Sequence, residues 1–419
     1  MPTEMFEVNG VRVANIKSDS EIAFFGIGVL AGSNYETPEI SGISHYSEHL
    51  YFKGTKKRNW KQINEEFAKL GVGNNAYTSN TEVLYFATCP IENIFKTINL
   101  MTDMFFNSTV PEEELEKERN VIIEEKNMYD DDPKQSFNEA LGEQFFTWSM
   151  GHPTIGTSET IKSINRTQVM KYLADKTSLE NMVFICSGNV DTKDLKKCLK
   201  KNIPSSHIYL KSTSLNTVAN NDNLWNHDVI DKAGKIKFEM LRDNITQSSA
   251  QMMINGLPST DPYAHHAVVI REALGGGMYS KLFSKIREEL GLCYACGMYD
   301  LAMSYPDNKV LALYGYLSPN NVDLFVEECE KVLRDVIKNG LDKDIFECAK
   351  TDYLSTVLRS IETSTGKAMF LTRKLLIQKE GNIEDSLKSI RAVKIKDCNK
   401  IVEQLLDVPY NWAVMNPKR

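Results

Sequence analysis

The chain has 419 residues, 42% of them hydrophobic and 25% charged, which is long for one core and predicts two or three domains. Its formal net charge of -7 argues against nucleic acid or an anionic membrane as a general partner, because both select basic surfaces. No run of about 18 apolar residues occurs, so no transmembrane helix is predicted.

The opening segment, MPTEMFEVNGVRVANIKSDSE, carries Glu4 and Glu7 where a signal peptide has basic and then apolar residues. It reads as an opening strand, and a cytoplasmic location is expected on that basis. Residues 22–30 (IAFFGIGVL) are continuously apolar, the pattern of a buried strand. Helices are predicted over 44–51 and 60–70, followed by an alternating strand over 81–88 (TEVLYFAT). Further helices follow over 91–106 and 112–128, then a strand over 181–186 (NMVFIC). Residues 211–233 are rich in Ser, Asn and Asp, lack sustained periodicity and predict a linker. Beyond it lie predicted helices over 263–274 and 279–289, a strand over 310–316 (VLALYGY), and helices over 322–338 and 342–363.

The segments on either side of the linker resemble each other. A strand leads through a proline (Pro90, Pro319) to an amphipathic helix and then to a charged one. An offset of 231 residues aligns Val110 with Leu341 and Leu115 with Phe346. A period this long means duplicated domains rather than a solenoid. The expected organisation is α+β: a first domain over 1–210, a linker over 211–233 and a homologous domain over 234–419, each a mostly antiparallel sheet packed with helices. The eight cysteines show no disulfide framework. Cys293-Tyr-Ala-Cys296 is a lone C-x-x-C with no second pair, so buried thiols are expected there.

The motif that carries chemistry is His45-Tyr-Ser-Glu48-His49. On a helix, His45 and His49 project from one face a turn apart, and Glu48 projects close beside them. Two imidazoles can then hold one zinc ion while a carboxylate approaches a water molecule there. Gly42-Ile43-Ser44 precedes the motif, and Ser44 is a candidate N-cap. A third protein ligand is needed, and the helix around Glu118-Arg-Asn-Val-Ile-Ile-Glu124-Glu125 is the best source. Glu118 and Glu125 share a face, with Glu124 about a hundred degrees round. Such acidic runs are commonly solvated faces, and helix geometry alone does not choose between Glu124 and Glu125.

HYSEHLYFKGT, with the last Glu of ERNVIIEE 76 positions after His49, resembles the pitrilysin family of peptidases. Gly275-Gly-Gly-Met-Tyr-Ser-Lys-Leu-Phe283 and Ile286-Arg-Glu-Glu-Leu-Gly-Leu-Cys-Tyr294 extend the likeness over nearly the whole chain. At this length it is similar to the short, two-domain branch related to the mitochondrial processing peptidase. The resemblance implies Glu125 as third zinc ligand and Glu118 as the carboxylate that steadies a ligating imidazole. It implies that an extended peptide pairs along Asn75, Ala76, Tyr77 and Thr78, and that Arg287 and Tyr294 contact substrate near the scissile bond. The triple glycine at 275–277 lacks the ending of a phosphate loop and is expected to serve a tight turn.

The second half keeps the pattern without the ligands. An offset of 220 aligns Leu70-Gly71 with Leu290-Gly291 and puts His265 opposite His45, but Val268 and Val269 opposite Glu48 and His49. One Zn2+ per chain is therefore expected, with Glu48 as general base of a metalloendopeptidase acting on extended or unfolded peptides. The alternative is a non-catalytic subunit of the same fold that binds peptides or a paralogue. The family closes four such domains round a chamber and this chain supplies two. A homodimer, or a heterodimer with a paralogue, is implied, with Arg287 and Tyr294 serving the partner's zinc site.

Overall fold

The computed structural model describes residues 3–207, 236–304, 308–377 and 381–418. The expected linker over 211–233 lies outside them. The chain forms two compact units, and they are interleaved in sequence rather than contiguous. The first comprises Met1–Tyr129, His152–Asn221 and Arg359–Glu384; the second comprises Asp130–Gly151, Asp222–Leu358 and Asp385–Arg419.

The sheet of the first unit contains β1 (Thr3–Val8), β2 (Val11–Lys17), β3 (Ile22–Val29), β4 (Gly73–Thr78), β5 (Val83–Pro90) and β6 (Met182–Gly188). Their spatial order is β1-β2-β6-β3-β5-β4, with β2 and β6 parallel and all other neighbours antiparallel. The opening segment is thus a hairpin and not a single strand. Asn9 and Gly10, both at positive φ, supply its two-residue turn. Helices α1 (Ile43–Leu50) and α2 (Trp60–Leu70) lie between β3 and β4, while α3 (Ile94–Asn107) and α4 (Glu112–Asp131) follow β5.

Seven of the eight residues of β3 are buried because both sheet faces are covered, which explains its continuous apolar reading. On one face Phe25 and Ile27 join Ile98, Met101 and Phe105 of α3 in a single core. On the other lies the helix Ser364–Ile377, which packs on β2, β3 and β6. Gly28 admits it: a Cβ there would stand 3.2 Å from Leu376 Cδ1. This helix comes from the far end of the sequence, and hydrophobic periodicity reports that a helix buries a face without saying which sheet receives it.

The sheet of the second unit contains β7 (Ile236–Arg242), β8 (Ser248–Asn255), β9 (Cys293–Ser304), β10 (Asn308–Leu317) and β11 (Asn411–Pro417). Its order is β7-β11-β8-β10-β9, with β7 and β11 parallel. Strand for strand this repeats β2-β6-β3-β5-β4, with the parallel pair in the same place, so the duplication is present in the topology. Here the helix Pro133–Phe145, from the first half of the sequence, packs against β7. One expected helix differs in kind. Residues Phe283–Glu289 form a π-helix, with Leu290 N–H reaching back to Lys285 C=O.

Candidate metal centre

The motif helix α1 is held at its N-terminus and from behind. Its N-terminal N–H groups are not capped by Ser44, as the sequence suggested. The fully buried carboxylate of Glu36 accepts from Gly42 N–H (2.7 Å) and Ser44 N–H (2.8 Å), and lies 3.2 Å from His152 Nε2. Ser44 Oγ instead meets Tyr172 OH at 2.5 Å. Gly42 has φ 89°, and a Cβ there would come 2.4 Å from Ile155 C=O, so glycine is required on both counts. Behind the helix, Ile43, Tyr46 and Leu50 pack with Leu115 and Ile122 of α4, and Tyr46 OH donates to Leu115 C=O at 2.5 Å. That core sets the two helices side by side.

The consequence is a converging set. His45, His49 and Glu125 bring one ligand atom each within 4.8 Å of the others, the one such His/Cys/Asp/Glu group among the described residues. Glu125 Oε2 lies 3.7 Å from His45 Nε2 and 3.5 Å from His49 Nε2. Ligands on a tetrahedral zinc at 2.0–2.1 Å stand about 3.3 Å apart, so this set fits zinc with a small closure. Glu124, one residue earlier, is exposed and outside the set. The geometry thus separates two residues that spacing alone left equivalent.

Two of the three ligands are braced, whereas His45 Nδ1 is buried with no hydrogen-bond partner among the described residues. Glu118 Oε2 meets His49 Nδ1 at 3.0 Å, and Lys53 Nζ holds the other Glu118 oxygen at 2.6 Å. Tyr129 OH donates to Glu125 Oε1 at 2.8 Å. Lys53 and Tyr129 were not found from the sequence. Each stands four positions after a ligand, a spacing that could have flagged them. Glu36 and His152 left no local signal at all. Glu48, mostly buried, accepts from Thr78 Oγ1 at 2.5 Å. Thr78 ends β4, whose one neighbour among the described strands is β5, so its other edge is unpaired.

The protons are unevenly shared. Burial, together with the neighbouring His49, pushes His45 down to about 4. Burial acts the same way on His49, but hydrogen bonds to Glu118 and Glu125 outweigh it and raise His49 to about 9. The hydrogen bond from His49 leads in holding Glu125 down to about 2. Burial raises Glu48 above the usual carboxylate range, against the pull of the Thr78 hydroxyl.

Arg287 and Tyr294 lie in the second unit, on the π-helix and at the start of β9. They pair with each other, the guanidinium carbon 5.6 Å from the ring centroid, and Tyr294 is 78% exposed. His265, opposite His45 in the duplicate, hydrogen-bonds Tyr353 OH at 2.9 Å, while Val268 and Val269 are core. Cys293 and Cys296 are buried free thiols.

Fold and site define a class: a duplicated α+β protein with a potential metal centre in one unit. Two family models match the chain, Insulinase (Peptidase family M16) over residues 12–158 and Peptidase M16 inactive domain over 163–353. The chain belongs to the M16 family of insulinase- and pitrilysin-like peptidases. It is 29% identical over 415 residues to a Bacillus subtilis (strain 168) protein named uncharacterized zinc protease YmxG, covering 98% of this chain and 97% of that one. An uncharacterized zinc protease of Rickettsia bellii is 28% identical, with 92% and 90% covered. Among solved structures, a protease from Helicobacter pylori superposes with TM-score 0.88 at 18% identity over 99% of both chains. A peptidase M16 inactive domain structure from Pseudomonas fluorescens gives 0.86 at 14%, covering 100% of this chain and 98% of that one. These likenesses match the fold. No helix among the described residues is long and apolar enough to cross a membrane.

Proposed function

We propose that this chain is a zinc metalloendopeptidase that cuts extended peptide segments, with His45, His49 and Glu125 as ligands. The observation that carries the reading is the placement of Glu48: beside the converging ligands and hydrogen-bonded to the last residue of an open sheet edge. A zinc ion there would acidify a water molecule and polarise the scissile carbonyl. Glu48 takes the water's proton and returns it to the leaving amine. Its burial supports that exchange, because a carboxylate raised towards neutral both accepts and gives back a proton readily. Glu118 and Lys53 keep His49 aligned, and Tyr129 does the same for Glu125.

Asn75, Ala76, Tyr77 and Thr78 bind substrate as an added strand, mainly through backbone groups, which favours unfolded segments of many sequences. Arg287 and Tyr294 act on the centre of a second copy of the chain, or of a paralogue, in a dimer. Their mutual stacking and the exposure of Tyr294 suit a pair that engages a ligand from outside its own core.

The test is metal content together with cleavage of unstructured fluorogenic peptides. The wild type is expected to hold one zinc per chain and cleave. Glu48→Gln keeps zinc and loses about 10²–10⁴ in kcat. Zinc bound without cleavage of any peptide by the wild type rejects the peptidase reading in favour of a binding subunit. Mixing Glu48→Gln with Tyr294→Phe chains is expected to restore activity. No gain over either variant alone rejects the trans arrangement.

A further inference from the structure

We propose that Thr78 is a positioning residue that couples strand addition to the orientation of Glu48, an inference that rests on the peptidase reading above. The case comes from the direction in which each group of Thr78 faces. Its hydroxyl donates to Glu48 Oε2 at 2.5 Å, and Oε1 carries no hydrogen bond among the described residues. Its backbone direction follows from the ladder. Ser79 N–H donates to Glu82 C=O at 2.8 Å, and Gly73 C=O accepts from Thr88 Oγ1 at 3.3 Å, so odd-numbered residues turn towards β5. Ala76 N–H instead donates to the Asn75 side-chain oxygen at 2.9 Å.

Residues of an antiparallel strand alternate between bonding one neighbour and facing the other side. The N–H and C=O of Asn74, Ala76 and Thr78 therefore lie along the unpaired edge. Thr78 then offers its backbone to an incoming peptide and its side chain to the base. A peptide bonded to that backbone fixes the end of β4, and with it the hydroxyl that pins Oε2. Glu48 is left with Oε1 aimed to receive the proton of the attacking water. With β4 unoccupied, the outer edge of the strand at Thr78 has no strand partner among the described residues, while the turn beyond it is held by Ser33 N–H on Ser79 C=O and Asn34 N–H on Asn80 C=O. The base is aligned best when substrate is present, and cleavage of the added strand is favoured over idle chemistry.

The test compares Thr78→Val, which keeps the branched shape and removes the hydroxyl, with Thr78→Ser, which restores it. Three readouts are taken: steady-state kinetics on an unstructured peptide, zinc content, and affinity of the uncleaved peptide measured by anisotropy on a Glu48→Gln background. Thr78→Val is expected to lose about 10–100-fold in kcat with KM, zinc content and peptide affinity within about twofold. Thr78→Ser is expected to stay within about threefold of wild type. Wild-type kcat in Thr78→Val overturns the proposal, and so do equal losses in both variants or a loss confined to KM and peptide affinity. Loss of zinc or of the folded state in Thr78→Val with full activity in Thr78→Ser also overturns it, since the hydroxyl then serves the fold. A wild type that cleaves nothing rejects the peptidase reading itself and is distinct from all of these.

Discussion

Zinc uptake by this chain is expected to release one proton, and the reason lies in His49. Glu125, held down to about 2, is ionised at neutral pH. His45, pushed down to about 4 by burial, is already neutral and ready to ligate. His49, raised to about 9, must give up its proton first. At pH 7 that costs two pH units of differential free energy, about 2.7 kcal/mol or a hundredfold in apparent affinity. Apparent zinc affinity should therefore rise about tenfold per pH unit from pH 6 to 8. Competition against a chelator of known zinc affinity measures the slope. Calorimetry in buffers of different ionisation enthalpy counts the proton. Glu118→Gln removes a charge that favours the doubly protonated imidazole, so less of His49 carries a proton on Nε2 to give up and the released fraction at pH 7.5 falls below one. Zinc binding also weakens by about 10–100-fold, because the imidazole loses its brace. A flat pH profile, or a slope of two, refutes the reasoning.

Three other outcomes follow. The metal-free protein is expected to be most stable near pH 6.5, because the two histidines shift in opposite directions. His49, raised, stabilises below its unfolded value and loses about 3 kcal/mol as pH climbs towards 9, whereas His45, lowered, loses stability as pH falls from 6.5 towards 4. Thermal melts of chelator-stripped protein show this peak, and zinc-loaded protein lacks it. Glu125→Gln is expected to lose zinc by more than the about 10–100-fold of an outer partner. Glu124→Gln stays within about 0.5 kcal/mol of wild type, and equal effects in metal titrations contradict the ligand choice. Glu36→Ala strips the acceptor from two buried N–H groups of the motif helix and is expected to cost about 2–4 kcal/mol in urea unfolding. A loss below about 0.5 kcal/mol shows that Glu36 is not what caps that helix.

How much of this was legible depends on how local each signal is. The H-x-x-E-H motif is five residues on one helix, so spacing exposes it. β3 was visible because a strand covered on both faces is apolar at every position. The hairpin of β1 and β2 has its signature in Asn9-Gly10, a two-residue turn signal inside what otherwise resembles one strand. β7 alternates half-buried and exposed residues and offered little contrast beside the neighbouring polar stretch. Glu36 and His152, 116 positions apart, meet only in the folded chain. A buried carboxylate serving a helix it does not belong to leaves no periodic trace. The preference for Glu125 over Glu124 came first from resemblance and has a physical basis in the register that the α1–α4 core imposes.

The interleaving of the two units has a mechanical consequence. The backbone passes between them at five places, after residues 129, 151, 221, 358 and 384. Each half of the sequence lends the other a helix that covers a sheet, so neither half holds a finished core of its own. A protease cut in the 208–235 segment severs one of five connections, and the nicked product is expected to stay a single particle and unfold as one. Conversely, the two halves made as separate chains are each deprived of a covering helix, and solubility is expected to return when they are expressed together. Duplication here produced two domains that are stitched into one another, which commits each copy to the folding of the other.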